Sequence, residues 1–295
     1  MNTIKEYYMK RYRILTMVLA IIMLLTSFSL PAFADSQDTV YASMSKACDV
    51  IRKGMIDRRN DVNSSAFDYY IDVSYKTSSY DSKKIYTQVE NEVFKYTGKY
   101  YEGDGLRMSI VSEGWNISAK KNGNSYIVRV VAYGGFYLAK DKTSQINKWI
   151  KDNSMYLATK KYKTGTSEYG KALGIYKWIT KNCKYGRTEI KGQWEPWNTA
   201  YGAKYAKGTC SGMAHLYYMM ANAAGLKCRV QVCGDHAWVI VRINGKWYIV
   251  DPTFGLGKSG TKYFLLGYSN YSRYAKRDKT VYGGNVTVNK TKYKK

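Results

Sequence analysis

The sequence is poor in residues that bind metals or form disulfide frameworks. Among 295 residues there are two histidines and five cysteines, with neither a C-x₂-C pair nor an H-E-x-x-H motif. A closed structural zinc site is therefore not expected, and we predict neither a metal nor a cofactor. The odd number of cysteines leaves at least one thiol unpaired, and a small disulfide scaffold would need a denser set in a shorter chain.

Long apolar runs are absent after the first 34 residues, which predicts no further membrane-spanning helix. The only such run, Ile14–Leu30, follows a basic start and leads into a small-x-small site at Pro31–Ala34. This pattern is typical of a signal peptide over residues 1–34, cleaved after Ala34. An uncleaved membrane anchor is the alternative, although the run is barely long enough. We expect a secreted protein without stable membrane insertion after cleavage.

Acidic residues are scarce: the chain has 22 aspartates and glutamates but 47 lysines and arginines, which gives a formal net charge of +25. Such a surplus favours anionic surroundings, for which an acidic cell-wall polymer is our candidate partner. Nucleic acid is not expected, because the lysines are spread out and form no long basic block. A solvated basic surface without a partner explains the charge equally well. The 31 tyrosines fit stacking on sugars or peptides, but ordinary amphipathic surface cover is the simpler interpretation.

Residues 35–164 are predicted to form an N-terminal α+β region of unknown role. A helix begins near Asp81 and carries apolar residues four apart, and another helix lies around Trp149. Residues 115–132 indicate a hairpin that turns at Asn122-Gly123. Only two prolines follow the leader and there is no Ser/Gly/Pro-rich linker, so we expect close packing against the next region.

Residues 165–268 are predicted to be the second domain, followed by a basic C-terminal tail, 269–295, of which we expect residues 281–295 to fray. Cys183 lies on the apolar face of a helix and is interpreted as a buried packing residue. An irregular, aromatic-rich stretch follows over 185–206. Cys228–Cys233 is a predicted strand. Its two cysteines would lie roughly 16 Å apart, too far for a mutual disulfide.

Cys210 begins a third predicted helix, which ends at Gly225. Apolar residues continue its face at three- and four-residue steps: Met213, Tyr217, Met220 and Ala224. The partial positive charge of a helix N-terminus favours the thiolate over the thiol. Gly208 and Gly212 are interpreted as allowing close approach of a substrate backbone. The alternative for Cys210 is a small buried hydrophobe, as free cysteines usually are.

A hairpin places the other two chemical groups together. Asn244-Gly245 predicts a two-residue turn, so that Ile243 pairs with Lys246. In this register Asp251 lies opposite Trp238 and diagonal to His236, on the same face of the sheet.

These placements suggest a nucleophile, Cys210, a base, His236, and an orienting carboxylate, Asp251. For Asp251 the alternative is an ordinary turn-forming residue before Pro252. His215 is interpreted as structural or exposed. Asp235 is left out of the site because it points away along the strand.

The sequence motifs around these residues resemble the transglutaminase-like core of the papain-like superfamily. The resemblance runs from about Ile175 to Gly267 and rests on motifs at 176–180, 208–212, 236–238, 247–253 and 263–265. It implies an α+β fold with the nucleophile helix packed on an antiparallel sheet, and Cys210, His236 and Asp251 as the triad. It also implies an oxyanion donor upstream of the cysteine. Gln193, Trp194 and Trp197 are the candidates, and the backbone N–H of Cys210 is the safer choice.

The expected function is that of a secreted cysteine acyltransferase or hydrolase. The enzyme would form a thioester from a peptide or glutamine amide of a protein substrate and pass the acyl group to water or an amine. The alternative is a non-catalytic, basic, tyrosine-rich module that binds cell-wall polymer or protein.

Overall fold

The computed structural model describes residues 39–63, 67–271, 274, 280–281 and 284–294. The predicted leader, residues 1–34, lies outside these residues. Residues 40–295 make one compact unit. Their two main apolar cores follow each other along the chain: the first is built from residues between Ala47 and Phe136, and the second from residues between Leu138 and Leu265. The predicted boundary at 164/165 stays a prediction.

The first sheet has the order β1-β2-β4-β3. Its strands are β1 (Val40–Tyr41), β2 (Phe67–Thr77), β3 (Ile110–Asn122) and β4 (Ser125–Phe136). β1 runs parallel to β2, and the other neighbours are antiparallel. The predicted hairpin is confirmed and is longer than expected. Its two-residue turn is Gly123-Asn124, one residue later than predicted, because Asn122 still pairs with Ser125.

Three helices accompany this sheet: α1 (Met44–Asp61), α2 (Ile85–Val93) and α3 (Asp104–Arg107). α1 and β2 were not foreseen from the sequence. The predicted helix is present as α2 but begins at Ile85, four residues later than expected, after a turn in which the backbone carbonyl of Asp81 accepts from the N–H of Ile85 at 3.0 Å. Its residues Ile85, Val89 and Val93 are buried.

The second core begins with α4 (Lys140–Thr159) and α5 (Glu168–Asn182). Cys183 follows α5 and is buried, as predicted. The stretch expected to be irregular contains a 3₁₀ turn at Pro196–Asn198 and a short helix, α6 (Ala200–Tyr205).

A central helix, α7 (Cys210–Ala223), packs against a three-stranded antiparallel sheet. Every residue of α7 except Ser211 and Ala223 is buried. The sheet has the order β5-β6-β7: β5 is Cys228–Cys233, β6 is His236–Ile243 and β7 is Lys246–Val250. The short helix α8 (Pro252–Gly255) follows. This is the α+β fold expected from the sequence, with the helix that begins at Cys210 packed on an antiparallel sheet.

A buried ion pair joins the N-terminal region to the second sheet. Asp104, at the start of α3, accepts from Nε of Arg229 at 2.9 Å, from Nη2 at 3.2 Å and from the N–H of Val230 at 2.8 Å. Both side chains are buried, and together these bonds satisfy the carboxylate that burial would otherwise penalise.

Described residues of the C-terminal segment that we expected to fray are paired with the core. The N–H of Asn289 donates to the carbonyl of Trp247 at 2.8 Å, and that of Tyr293 donates to Leu265 at 2.9 Å. The ring of Tyr293 also stacks on Tyr169. Two short strands, β8 (Thr280–Val281) and β9 (Gly284–Asn285), pair with each other. Of the helices in the described residues, none is both long and apolar enough to cross a membrane.

Candidate active site

Cys210 is the first residue of α7, as the sequence predicts. The preceding residue, Thr209, holds this helix end in place: its N–H donates to the carbonyl of Trp197 at 2.9 Å and its hydroxyl donates to Oδ1 of Asn198 at 2.7 Å. The thiol points to the carbonyl oxygen of Asp235 at 3.7 Å. The sulfur is thus placed between a helix start and the beginning of β6.

The two glycines near Cys210 have a role other than the one predicted. A side-chain carbon at Gly212 would lie 2.4 Å from the carbonyl oxygen of Trp197, and one at Gly208 would lie 2.8 Å from the backbone of Ala203. Both glycines therefore allow close contact within the protein's own backbone. The interpretation that they admit a substrate backbone is corrected.

The predicted hairpin register is confirmed. Asn244-Gly245 forms a two-residue turn, Ile243 pairs with Lys246, and Val239 pairs with Val250. β7 ends one residue before Asp251, which nevertheless reaches His236: Nε2 of His236 lies 2.7 Å from Oδ2 of Asp251. Since the carboxylate is the acceptor, Nε2 carries the proton, and Nδ1 is the nitrogen left for the sulfur.

Asp251 makes the contacts expected for both of the roles between which the sequence left a choice. Its Oδ1 accepts from the N–H of Phe254 at 3.0 Å and so caps α8. Its Oδ2 accepts from His236 and also from the hydroxyl of Tyr274, at 2.8 Å. Asp251 is fully buried, so these three donors hold the carboxylate in one orientation.

Electrostatics favour an ion pair at the sulfur. Burial by itself raises the pKa of Cys210, but hydrogen bonds from His236 and from the N–H groups of Ala237 and Ser211 outweigh it, and this pKa lies below its usual value. For His236, burial by itself lowers the pKa. The bonds to Asp251 and Cys210 have the larger, opposite effect, so the pKa is raised to about 9. Between these two pKa values the site holds a thiolate beside an imidazolium.

The other buried cysteines behave in the opposite way. Burial raises the pKa of Cys48 and of Cys183 to about 12, and it raises that of Cys228 well above the usual value. They are the inert packing thiols expected of buried cysteines. Cys228 and Cys233 are the two ends of β5, which confirms the strand prediction.

His215 lies apart from this site. It is buried on α7, its Nδ1 accepts from the N–H of Ala200 at 3.3 Å, and burial lowers its pKa to about 3. The structural interpretation of His215 is confirmed, and it is not exposed.

The three oxyanion candidates stay predictions, because their bonds in the structure involve Oε1 of Gln193 and backbone groups of Trp194 and Trp197. Oε1 of Gln193 accepts from the N–H of Ala139 at 2.7 Å, and the N–H of Trp194 donates to the carbonyl of Tyr137 at 3.1 Å. Trp197 is buried and supports Thr209 through its backbone. The backbone N–H of Cys210, in the first turn of α7, stays the predicted donor.

Two residues near His236 were missed from the sequence. Phe254 stacks on the imidazole with ring centroids 4.6 Å apart, and Tyr274 reaches Asp251 as described. Phe254 directly follows the motif at 247–253 and could have been proposed as a site residue from the sequence. Nothing in the sequence singles out Tyr274 among so many tyrosines. Within the described ranges, His, Cys, Asp and Glu residues form no group of three or more that could hold a metal ion.

Comparison with known families agrees with this geometry. Residues 155–252 match the transglutaminase-like superfamily, and the matched stretch contains Cys210, His236 and Asp251. This stretch of the chain is transglutaminase-like. A search of the curated proteins finds no match.

Solved structures are similar only distantly. A candidate cysteine protease from Cytophaga hutchinsonii is 15% identical over 66% of this chain and 78% of its own, with a TM-score of 0.29. A candidate protease from Parabacteroides distasonis is 14% identical over 64% and 42%, with a TM-score of 0.26. The periplasmic domain of TgpA from Pseudomonas aeruginosa is 10% identical over 75% and 94%, with a TM-score of 0.29. At such low TM-scores, no property of this transglutaminase-like chain is inferred from them.

Proposed function

We propose that this transglutaminase-like protein is a secreted thiol acyl-transfer enzyme, with Cys210 as nucleophile, His236 as base and acid, and Asp251 as the residue that orients His236. The observation that carries the proposal is the position of the imidazole, which bonds to Asp251 through Nε2 and faces the sulfur of Cys210. This is the arrangement that a thiolate nucleophile needs.

The reaction proceeds in two steps. The thiolate attacks an amide carbonyl of a peptide or glutamine side chain, and the imidazolium of His236 donates its proton to the departing amine. A thioester on Cys210 and a neutral imidazole remain. Water or a second amine then attacks the thioester, His236 takes up the proton released, and the thiolate leaves.

The acyl acceptor decides between a hydrolase and a crosslinking enzyme. The residues around Cys210 serve both outcomes, because each requires the same thioester. The access of water and of a second amine to that thioester makes the difference.

Export through residues 1–34 and retention on an anionic cell-wall polymer are part of the same proposal. They rest on the leader pattern, the net charge of +22 that remains after the leader (net +3) is removed from the full chain (+25), and exposed aromatic side chains such as Tyr70 and Tyr185. N-terminal sequencing of the protein from culture medium and cell wall tests them. A mature chain that begins at Asp35 is expected, and a protein that retains residues 1–34 would contradict export with cleavage.

The first test of the catalytic proposal is alkylation of the full chain by iodoacetamide, with labelled sites mapped by mass spectrometry. At pH 6 to 7 we expect Cys210 to react first, because its pKa is lowered while those of Cys48, Cys183 and Cys228 are raised. Asp251→Asn should slow the labelling of Cys210 by about tenfold or more, since a pKa change of one unit alters the thiolate fraction tenfold. Asp235→Asn, at an exposed neighbouring position, is the control and should react like the wild type.

The second test traps the acyl-enzyme. The full chain is incubated with secreted and cell-wall peptides, and its mass is measured before and after treatment with hydroxylamine. A hydroxylamine-sensitive adduct on Cys210 is expected, and it identifies the acyl donor. If wild type forms no adduct and turns over no amide, while Cys210→Ala still binds cell wall, the binding-module alternative replaces the enzyme.

A further inference from the structure

The first sheet presents one face to the first apolar core and the other to solvent. The inner face packs through residues such as Val73 and Val130. Alternate residues of β2, β3 and β4 point the opposite way, and the strand pairing aligns them in rows that we call the outer sheet face. The rows are Tyr70 with Tyr133 and Gly114, Asp72 with Val131 and Asn116, Ser74 with Arg129 and Ser118, and Lys76 with Ile127 and Lys120. Of these residues only Val131 is buried.

Two tyrosines form one end of the outer sheet face. Tyr70 is 68% exposed. Its cross-strand neighbour, Tyr133, leans over β3, since a side-chain carbon at Gly114 would lie 2.3 Å from Cζ of Tyr133. The glycine thus leaves room for this ring above the backbone of β3. Each tyrosine offers an apolar ring beside a hydroxyl, which suits stacking on a sugar and hydrogen bonding to it.

The middle of the outer sheet face is polar, and its charges are balanced. Nε of Arg129 donates to Oδ1 of Asp72 at 2.9 Å. Amide and hydroxyl groups of Ser74, Asn116 and Ser118 lie in the same two rows, and such groups match the hydroxyls of a sugar chain. These rows do not form the apolar centre that a protein interface needs. The carboxylate of Asp72 is unfavourable beside the closely spaced phosphates of a nucleic acid.

Two lysines form the other end. Lys76 and Lys120 flank Ile127 in one row, and both lysines are exposed. Lys76 follows Tyr70 by six residues on β2, which corresponds to about 20 Å along the strand. Aromatic rings, hydrogen-bonding groups and positive charge are therefore combined on one face. A chain of sugars with anionic groups at intervals complements all three.

We infer that the outer sheet face binds an anionic polysaccharide. Tyr70 and Tyr133 stack on sugar rings, the polar middle rows bond to sugar hydroxyls, and Lys76 and Lys120 attract the anionic groups. This inference rests on the cell-wall retention proposed above and assigns a surface to it. The candidate active site contributes no residue to this face, so binding requires no thiol chemistry.

Isothermal titration calorimetry of the full chain tests the face with hyaluronate oligosaccharides, in which every second sugar carries a carboxylate. Dextran supplies sugars without charge, polyglutamate supplies carboxylates without sugar rings, and duplex DNA supplies a nucleic acid. Hyaluronate should bind about fivefold more tightly than dextran or polyglutamate, or better, because it alone offers both stacking and charge. Absence of hyaluronate binding, equal affinity for polyglutamate, or tighter binding of DNA would overturn the inference.

Matched variants locate the binding surface. Tyr70→Ala and Lys76→Ala should each weaken hyaluronate binding by about fivefold or more. Tyr156→Ala and Lys151→Ala change a tyrosine and a lysine that are exposed on α4, and both should bind like the wild type. All four changes are at exposed positions, where substitutions have little effect on folding. Added salt should weaken binding by the wild type more than by Lys76→Ala. If Tyr70→Ala and Tyr156→Ala bind alike, the inference fails.

Sedimentation with isolated cell wall separates this inference from wall retention and from catalysis. The wild type should sediment with the wall, and Tyr70→Ala and Lys76→Ala should do so less. Sedimentation of the wild type without a loss in either variant contradicts the outer sheet face and leaves wall retention intact. Cys210→Ala should sediment like the wild type, because amide turnover plays no part in the binding, and this result is independent of whether the catalytic proposal holds.

Discussion

Tyr274 donates its hydroxyl to Oδ2 of Asp251 at 2.8 Å, the same oxygen that accepts from His236. The phenol is buried and its ring meets Trp238 edge-on, with centroids 5.2 Å apart. Oδ2 of Asp251 therefore accepts two hydrogen bonds, one from a neutral hydroxyl and one from the imidazole. This makes Tyr274 a positioning residue, which acts on His236 through Asp251.

Tyr274→Phe removes one of the two donors to this oxygen. We expect His236 to titrate at a higher pH, because the carboxylate then acts on the imidazole alone. We also expect the free energy of unfolding to fall by about 1.5–3 kcal/mol, as for other hydrogen bonds to charged groups. NMR titration of the imidazole and urea unfolding measure the two effects. Tyr271→Phe is the control. A loss of stability without a shift in the titration would mean that Tyr274 only packs.

The titration of His236 itself is the second prediction. Because the chain has two histidines and burial lowers the pKa of His215 to about 3, one imidazole should titrate between pH 5 and 10. We expect its midpoint at about 9 in the wild type. Cys210→Ala should lower this midpoint, because the thiolate that stabilises the imidazolium is gone. A midpoint near 6.5 in the wild type would contradict the ion pair.

The same two pKa values predict the pH dependence of amide turnover. The thiolate is present above the lowered pKa of Cys210, and the imidazolium that protonates the leaving amine is present below about pH 9. Turnover should therefore rise on the acidic side at a pH below the usual thiol pKa and decline above about 9. A steady increase beyond pH 10 would show that no proton from His236 is needed.

Asp104→Asn should destabilise the whole unit. It removes the charge that pairs with buried Arg229, and a buried ion pair that loses one partner typically costs about 3–5 kcal/mol. Chemical unfolding measures the change. Asp57→Asn, which breaks an exposed pair with Lys53 on α1, should have a much smaller effect. Similar losses in the two variants would argue against a special role for the link between α3 and β5.

Gly212→Ala tests the corrected role of this glycine. The added carbon would lie 2.4 Å from the carbonyl oxygen of Trp197, so the start of α7 has to move. We expect a loss of about 1–3 kcal/mol in the free energy of unfolding, as for other overpacked sites, together with slower alkylation of Cys210. Ser211→Ala is the neighbouring control. If Gly212→Ala matches Ser211→Ala in both measurements, the close contact does not constrain the helix.

The pairing of His236 with Asp251 was predictable because local rules determine it. A two-residue Asn-Gly turn sets the register of its hairpin, and the register places the two side chains on one face. The position of Cys210 in the first turn of α7 follows from the spacing of apolar residues in the same way. The turn at Gly123-Asn124 marks the limit of such reasoning, since Asn122 fits a turn position equally well but remains in its strand.

Contacts between segments that are far apart in the chain could not be predicted from the sequence. Gly212 looked like a residue that admits substrate, and only the neighbouring carbonyl of Trp197 reveals why a side chain is excluded. The C-terminal residues looked frayed because their composition is polar, yet Asn289 pairs with Trp247 in β7. Their pairing depends on backbone groups, which composition does not report.

The sequence by itself determined the chemical groups at Cys210, His236 and Asp251 and the local elements that carry them, because helix and hairpin patterns act over a few neighbouring residues. The tertiary structure alone decided which groups surround them: the hydroxyl of Tyr274 on Asp251 and the close approach at Gly212. These depend on packing between segments far apart in the chain, and no periodicity or turn motif encodes such packing.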